Sequence, residues 1–167
     1  VKSYGLDGKL YEWIKAFLLN RRQRVVVSGN KSKWAQVSSG IPQGSVLGPV
    51  LFTLYVNDMP NRTLCPMKLF ADDSKLYRKV KDTADCELIH NDLLQLQDWG
   101  HEWQMTFHPQ KCTVLRLGKN KPDYDYHMDG QEGKVSLSMV EIEKDLGVYI
   151  DSELEFKHHT ESIVRKA

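Results

Sequence analysis

An α+β fold is what this sequence predicts, with an antiparallel sheet packed on helices. Three observations carry that expectation. Helical apolar spacing and short β-branched runs follow one another as helix, hairpin, helix, hairpin, helix and then several strands. Strict β-α-β alternation, the mark of a parallel sheet, does not occur. At 167 residues, with 41% hydrophobic and 10% aromatic content, the chain suffices for one domain with a buried core.

Leu10, Trp13, Ile14, Phe17 and Leu18 repeat at helical spacing behind a capping Asp7, so a helix is predicted over 8–20. Arg21, Arg22 and Arg24 follow, where cations suit the helix dipole. Residues 24–28 read as a β-branched strand, 29–32 as a turn and 33–38 as the return strand. After a Gly/Pro loop over 39–48, Pro49 takes a first helical position, 50–58 continue as a buried helix, and Pro60 ends it. Residues 67–71 and 74–80 form two arms around Asp72 and Asp73.

The longest helical stripe runs through Leu88 or Ile89, Leu93, Leu96, Trp99 and Trp103, over roughly 83–104, slightly weakened by Gly100. Trp13, Trp99 and Trp103 lie on such stripes and read as core. His108-Pro109 marks a loop and 112–117 a strand. Residues 118–133 are polar and Gly-rich, an exposed excursion. Residues 135–139 and 146–151 are the last strands, and the polar tail from Ser152 begins a further element.

Charge is asymmetric. Residues 1–81 carry 14 Lys/Arg against 5 Asp/Glu, and 82–167 carry 9 against 17, together the net +1. The basic half suits a polyanion, although two solvated faces would read the same way. Trp34, beside Lys31 and Lys33, could contact a nucleic acid strand. Cys65, Cys86 and Cys112 are odd in number and form no C-x-x-C pair, which argues for neither a disulfide framework nor a zinc site and fits a reduced, intracellular setting. The longest apolar run, 50–56, is too short to span a bilayer, so no membrane partner is expected. The chain opens on Val1, in the approach to a helix, and reads as a piece of a longer protein.

The chemistry concentrates in three places. Asp72 and Asp73 sit between two strand arms, as acids at a hairpin tip would. Carboxylates there can hold divalent ions for phosphoryl transfer to a hydroxyl. An isolated Asp-Asp is ordinarily a solvated turn. Phe70-Ala71 just before it implies a tip near the core, where unpaired acids are expensive. The loop Ser39-Gly40-Ile41-Pro42-Gln43-Gly44-Ser45 offers close backbone approach and a helix N-terminus for anionic groups, with Gln43 free to meet a base or sugar. By itself it is also an ordinary connector. Lys111, between a loop and a strand, could donate a proton to a pyrophosphate leaving group.

Together with Tyr4-Gly5-Leu6, Arg21 to Val25, Leu51-Phe52, Tyr55 to Asp58, Lys75-Leu76-Tyr77, Trp103-Gln104-Met105 and Asp145 to Val148, these stretches resemble the reverse transcriptase of non-LTR, LINE-type retrotransposons, close to the jockey-like group. The resemblance implies a right-hand polymerase with an antiparallel palm on helices, and two Mg²⁺ ions, an RNA template, a DNA primer and dNTPs in the full-length parent. It implies that Asp72 and Asp73 are palm metal ligands and Lys111 the proton donor. Ser39, Gly40, Pro42, Gln43, Gly44, Phe70 and Ala71 would line template and nucleotide, and Leu146-Gly147 would grip the primer end. It implies a partial palm over 1–151 and the start of a thumb or connection over 152–167, with fingers and most of the thumb missing. The family's first catalytic aspartate precedes the Tyr-Gly-Leu stretch, and Asp7 lies on the wrong side of it, so this chain alone is expected to be inactive. Nucleus and cytoplasm both fit such a parent. A competing reading is a non-catalytic nucleic-acid-binding relic or repurposed piece. An RNA-dependent RNA polymerase fits less well, since that class places Gly where Ala71 stands.

Overall fold

The apolar spacing over 10–18 does form a helix, α1 (Gly8–Leu18), entered from Asp7 in extended conformation without a side-chain cap. It stops two residues earlier than the spacing predicts, because Asn20 turns left-handed at φ 56°. The computed structural model describes residues 2–119 and 122–166 and divides into two compact units, Val1–Asp58 and Met59–Ala167.

In the first unit, α1 buries only Ile14. Trp13 corrects the core expectation: it is 55% exposed, stacked on Phe17 with centroids 6.3 Å apart. The predicted hairpin follows as β1 (Arg22–Gln23) paired with β4 (Ala35–Gln36), and β2 (Val26–Val27) paired with β3 (Asn30–Lys31). Its turn is tighter than expected. Ser28 and Gly29 alone turn, both at positive φ, which suits the right-handed twist of the strands. Two residues separate β1 from β2 but three separate β3 from β4, so a bulge bends the ribbon. Ser32 secures it, its Oγ accepting the Val25 N–H at 2.9 Å. α2 (Leu47–Val56) begins two residues before Pro49, which still lies in the first turn, where its missing N–H costs nothing. Tyr4 bonds the end of this helix: its hydroxyl donates to the Leu54 carbonyl at 3.3 Å and accepts from Asn57 Nδ2 at 3.2 Å.

The second unit opens with a 3₁₀ turn (Met59–Arg62) and the hairpin β5 (Met67–Phe70) and β6 (Asp73–Leu76). α3 (Thr83–Glu102) follows, capped by Asp82, whose carboxyl accepts the Asp85 N–H at 3.2 Å. β7 (Thr113–Leu115), β8 (His127–Gly130), β9 (Gly133–Ser136), β10 (Ser138–Val140), β11 (Ile142–Asp145), β12 (Val148–Asp151) and α4 (Lys157–Val164) complete the unit. The tail predicted only as polar is thus helical, and His158 packs edge-on against Tyr149 of β12. Asp151 shapes the connection. Its carboxyl accepts the N–H groups of Glu153, Glu155 and Phe156, and these bonds, Glu155's foremost, hold it below the usual carboxylate range.

The α+β class holds, but one continuous antiparallel sheet does not form. The described residues make six two-stranded ladders, five antiparallel and one, β7 with β10, parallel. The ladders are two to four residues long and end at tight turns or kinks, leaving little edge for a third strand.

The excursion over 118–133 is the other correction; residues 120 and 121 of it lie outside the described set. Tyr126 and Met128 are buried and join Cys86 and Leu137 in the core cluster, with Ile89, Leu93, Phe107 and Val114 packed around. Polar alternation in 125–129 hid this strand. Gln97 holds it to α3 as a strand would: its Nε2 donates to the Asp129 carbonyl at 2.8 Å and its Oε1 accepts the Asp129 N–H at 2.9 Å. Trp99 is fully buried, as the stripe predicted, whereas Trp103 is partly exposed. Gly100 is a requirement rather than a weakness. A Cβ there would meet the Met105 carbonyl at 2.4 Å and the Phe107 ring at 3.2 Å.

His90 lies buried on α3 with Nδ1 3.3 Å from the Tyr124 hydroxyl, while Nε2 has no partner among the described residues. The Tyr126 ring lies nearby, and the His127 ring packs edge-on at 4.1 Å, itself 3.1 Å from Lys134 Nζ. Burial first, then His127 and Lys134, depress the His90 pKa, with Asp125 opposing. Above about pH 6.5 both folded and unfolded chains hold this imidazole neutral. As pH falls through that value the unfolded chain takes the proton first, so stability falls. We expect a lower urea midpoint at pH 5.5 than at pH 7.5, and a smaller difference in His90→Gln. An equal difference in both proteins contradicts the assignment.

Candidate active site

Strand alternation in β5 turns Met67 and Leu69 inward and Lys68 and Phe70 outward. Phe70 pairs with Asp73, leaving Ala71-Asp72 as a two-residue loop. Phe70, Ala71, Asp72 and Asp73 are all exposed, Phe70 by 63%. The expected tip near the core is therefore corrected: the hairpin projects its acids into solvent, and the apolar content of its arm lies lower, at Met67 and Leu69. Adjacent unpaired carboxylates cost little there and stay open to a cation. Both offer the hard oxygen donors that Mg²⁺ prefers. Among the described residues no group of three His, Cys, Asp or Glu comes together to hold a metal.

Ala71 holds φ 51°, a left-handed conformation that glycine adopts without penalty. Ala71→Gly relieves that strain and gives back part of the gain as unfolded-state entropy, so a net stabilisation of about 0.5 kcal/mol is expected in a urea melt. A clear loss of stability would mean the Ala71 methyl is needed for packing.

The loop before α2 is built for close approach. Gly40 and Gly44 take φ 74° and 78°. Ser45 ties the loop to the helix, its Oγ donating to the Pro42 carbonyl at 2.8 Å and accepting the Gly48 N–H at 3.0 Å. A Cβ on Gly48 would meet that hydroxyl at 2.9 Å. Gln43 is exposed and makes no hydrogen bond to the described residues, which leaves its amide free. Arg21 is a loop brace that sequence reasoning took only for a dipole partner. Its Nε donates to the Leu18 carbonyl at 2.8 Å, and its guanidinium also donates to the Ser39 and Gly40 carbonyls.

Lys111 closes a 3₁₀ turn (Pro109–Lys111) and is exposed. Leu146-Gly147 forms the two-residue loop between β11 and β12, both at positive φ. A leucine at φ 46° and 54% exposed carries a backbone penalty and bares apolar surface. The acid hairpin and this hairpin are joined: Lys75 of β6 forms an ion pair with Asp145, the residue just before Leu146. Seventy residues separate the two, and no local pattern announces the contact. The loop over 39–44 belongs to the first unit, and Asp72, Asp73, Lys111, Leu146 and Gly147 to the second.

The three thiols are free. Burial, then a hydrogen bond to Asp92, pushes Cys65 up to about 11, and burial also raises Cys112. No helix among the described residues is long and apolar enough to cross a membrane.

Comparison with known proteins gives a match to the family described as reverse transcriptase (RNA-dependent DNA polymerase) over residues 1–158. This chain belongs to the reverse transcriptase family. Relatives it matches include polymerases of mobile elements and transposons. It is 30% identical to the RNA-directed DNA polymerase from mobile element jockey of Drosophila melanogaster, over 93% of this chain and 18% of the relative. The jockey polymerase of Drosophila funebris is 29% identical over 95% of this chain and 18% of its own length. The probable RNA-directed DNA polymerase from transposon X-element of Drosophila melanogaster is 29% identical, again over 95% and 18%. The chain thus spans about a fifth of the length of these reverse transcriptase relatives. No solved structure matches it.

Proposed function

We propose that this chain is part of the palm of an RNA-directed DNA polymerase of a non-LTR retrotransposon, working on an RNA template, a DNA primer and dNTPs. Asp72 and Asp73 bind two Mg²⁺ ions together with a carboxylate from elsewhere in the polymerase. Bound there, the ions neutralise charge on the attacking and leaving oxygens. Lys111 donates a proton to the departing pyrophosphate. Gly40 and Gly44 let the loop backbone come close to template and incoming nucleotide, which Gln43, Ser39 and Pro42 flank. Phe70 and Ala71 line the nucleotide side of the tip, and Leu146-Gly147 holds the primer end. Residues 152–167 begin the thumb, and the parent acts in nucleus and cytoplasm.

The observation that carries this reading is the solvent-facing Asp72-Asp73 tip, joined through Lys75 and Asp145 to the strained Leu146-Gly147 turn. In a chain matched to reverse transcriptases over nearly its whole length, that arrangement supports catalysis at this tip. The alternative reading is a non-catalytic nucleic-acid-binding piece, which the excess of 14 Lys/Arg over 5 Asp/Glu in residues 1–81 would serve. Primer extension on poly(rA)/oligo(dT) with Mg²⁺ separates them. We expect nucleotide incorporation from a form extended upstream through one further strand, and none from this chain alone. An extended, soluble form that stays inert leaves only the binding reading.

A further inference from the structure

We propose that the hairpin β1–β4 of the first unit is a contact for single-stranded nucleic acid, with the Trp34 ring stacking on a base and Arg22, Arg24, Lys31 and Lys33 holding the adjoining phosphates. None of these residues belongs to the loop, the acid tip or the Leu-Gly turn, and the contact stands whether or not the polymerase is active.

Residues 21–36 contain five Lys/Arg and no Asp/Glu, in a chain whose net charge is only +1. Arg21 is engaged with carbonyls. The other four cations have no carboxylate within ion-pair distance among the described residues. A hairpin built only for stability gains nothing from four unpaired like charges, whereas a polyanion site needs them.

Trp34 supplies the second half of the recognition. It is 56% exposed, although indole is among the most costly surfaces to leave in water. β1 pairs with β4 at Arg22↔Gln36 and Gln23↔Ala35, and Arg24 and Trp34 are the next residues along the two strands. Arg22 and Arg24, two apart, share a face. Their guanidinium carbons stand 5.9 and 4.6 Å from the ring centroid. These cation–π contacts orient the indole and hold positive charge over the ring, while the exposed part of the side chain remains for a base. An acidic protein would use the charges but has no use for the exposed indole beside them. A base followed by its phosphates uses both.

The test is fluorescence anisotropy of the whole chain with labelled single-stranded oligo(rU), oligo(dT) and a duplex control, at several salt concentrations. We expect binding to the single strands, with log K falling against log salt at a slope near −3 for four phosphate contacts at about 0.7 each. Trp34→Ala is expected to weaken binding about tenfold and Trp34→Phe to restore most of it, both with unchanged circular dichroism. Arg22→Ala with Arg24→Ala is expected to flatten the slope by about 1.4. Tighter binding of the RNA or of the DNA oligomer tells which strand the hairpin meets, and either supports it. No binding at 50 mM salt overturns the proposal. So does binding indifferent to Trp34, or polyglutamate competing as well as oligo(rU), which would assign the surface to an acidic protein. Nucleotide and turnover do not enter the measurement, so an inert polymerase does not affect it.

Discussion

Asp92→Ala is expected to destabilise the second unit by about 3 kcal/mol, chiefly from the buried Cys65 amide left without an acceptor at roughly 1–3 kcal/mol, with a smaller share from the part-buried Leu64 amide. Asp92 is buried on α3, and its two oxygens divide their work. Oδ1 accepts the Leu64 N–H at 2.9 Å and Oδ2 the Cys65 N–H at 2.7 Å. Those amides lie two to three residues before β5, so the carboxyl sets where the acid hairpin leaves the core. Alanine also leaves a void that the helix cannot readily close. Asp92→Asn keeps one acceptor and nearly the same shape, so about half the loss is expected from it. Urea melts of both variants check this, and a change below about 0.5 kcal/mol for alanine would show that water or a shifted loop satisfies these amides.

Asp72→Ala is expected to lower nucleotide incorporation by the extended polymerase by about 10³-fold or more, the scale of removing a group that stabilises developing charge once bound substrates cover the tip. Asp72 is exposed in a two-residue loop. Its removal therefore takes away no packing, and stability should stay within about 0.5 kcal/mol. That separation of rate from stability distinguishes a metal ligand from a structural turn residue. Asp72→Asn keeps the shape and loses the charge, so it should lose nearly as much rate.

The residues that declared themselves in sequence are those whose chemistry is local. Helix spacing marked α1 and α3. Two adjacent acids between strand-like arms marked the β5–β6 tip, and Gly40, Gly44 and Pro49 marked the loop and helix start. What sequence hid was set by partners far along the chain. Gln97 and Asp92 look like the polar face of a helix, yet both are buried because backbone groups 27 to 32 residues away use them. Tyr126 and Met128 alternate with Asp125, His127 and Asp129, so a polar-looking stretch holds part of the core. Trp13 erred the other way, since apolar spacing says which residues share a face but not what covers it. The acids stand further out than Phe70-Ala71 implies for a related reason: the inward side of β5 is Met67 and Leu69, not Phe70.

The most direct test of the central claim, that the Asp72-Asp73 tip is a catalytic metal site of an RNA-directed DNA polymerase, is single-turnover primer extension on poly(rA)/oligo(dT). It compares the upstream-extended protein with its Asp72→Ala and Asp72→Asn forms across a Mg²⁺ titration. The account predicts Mg²⁺-dependent incorporation that both substitutions reduce by about 10³-fold or more, with primer–template binding unchanged. Incorporation by Asp72→Ala within tenfold of the unsubstituted protein would contradict it.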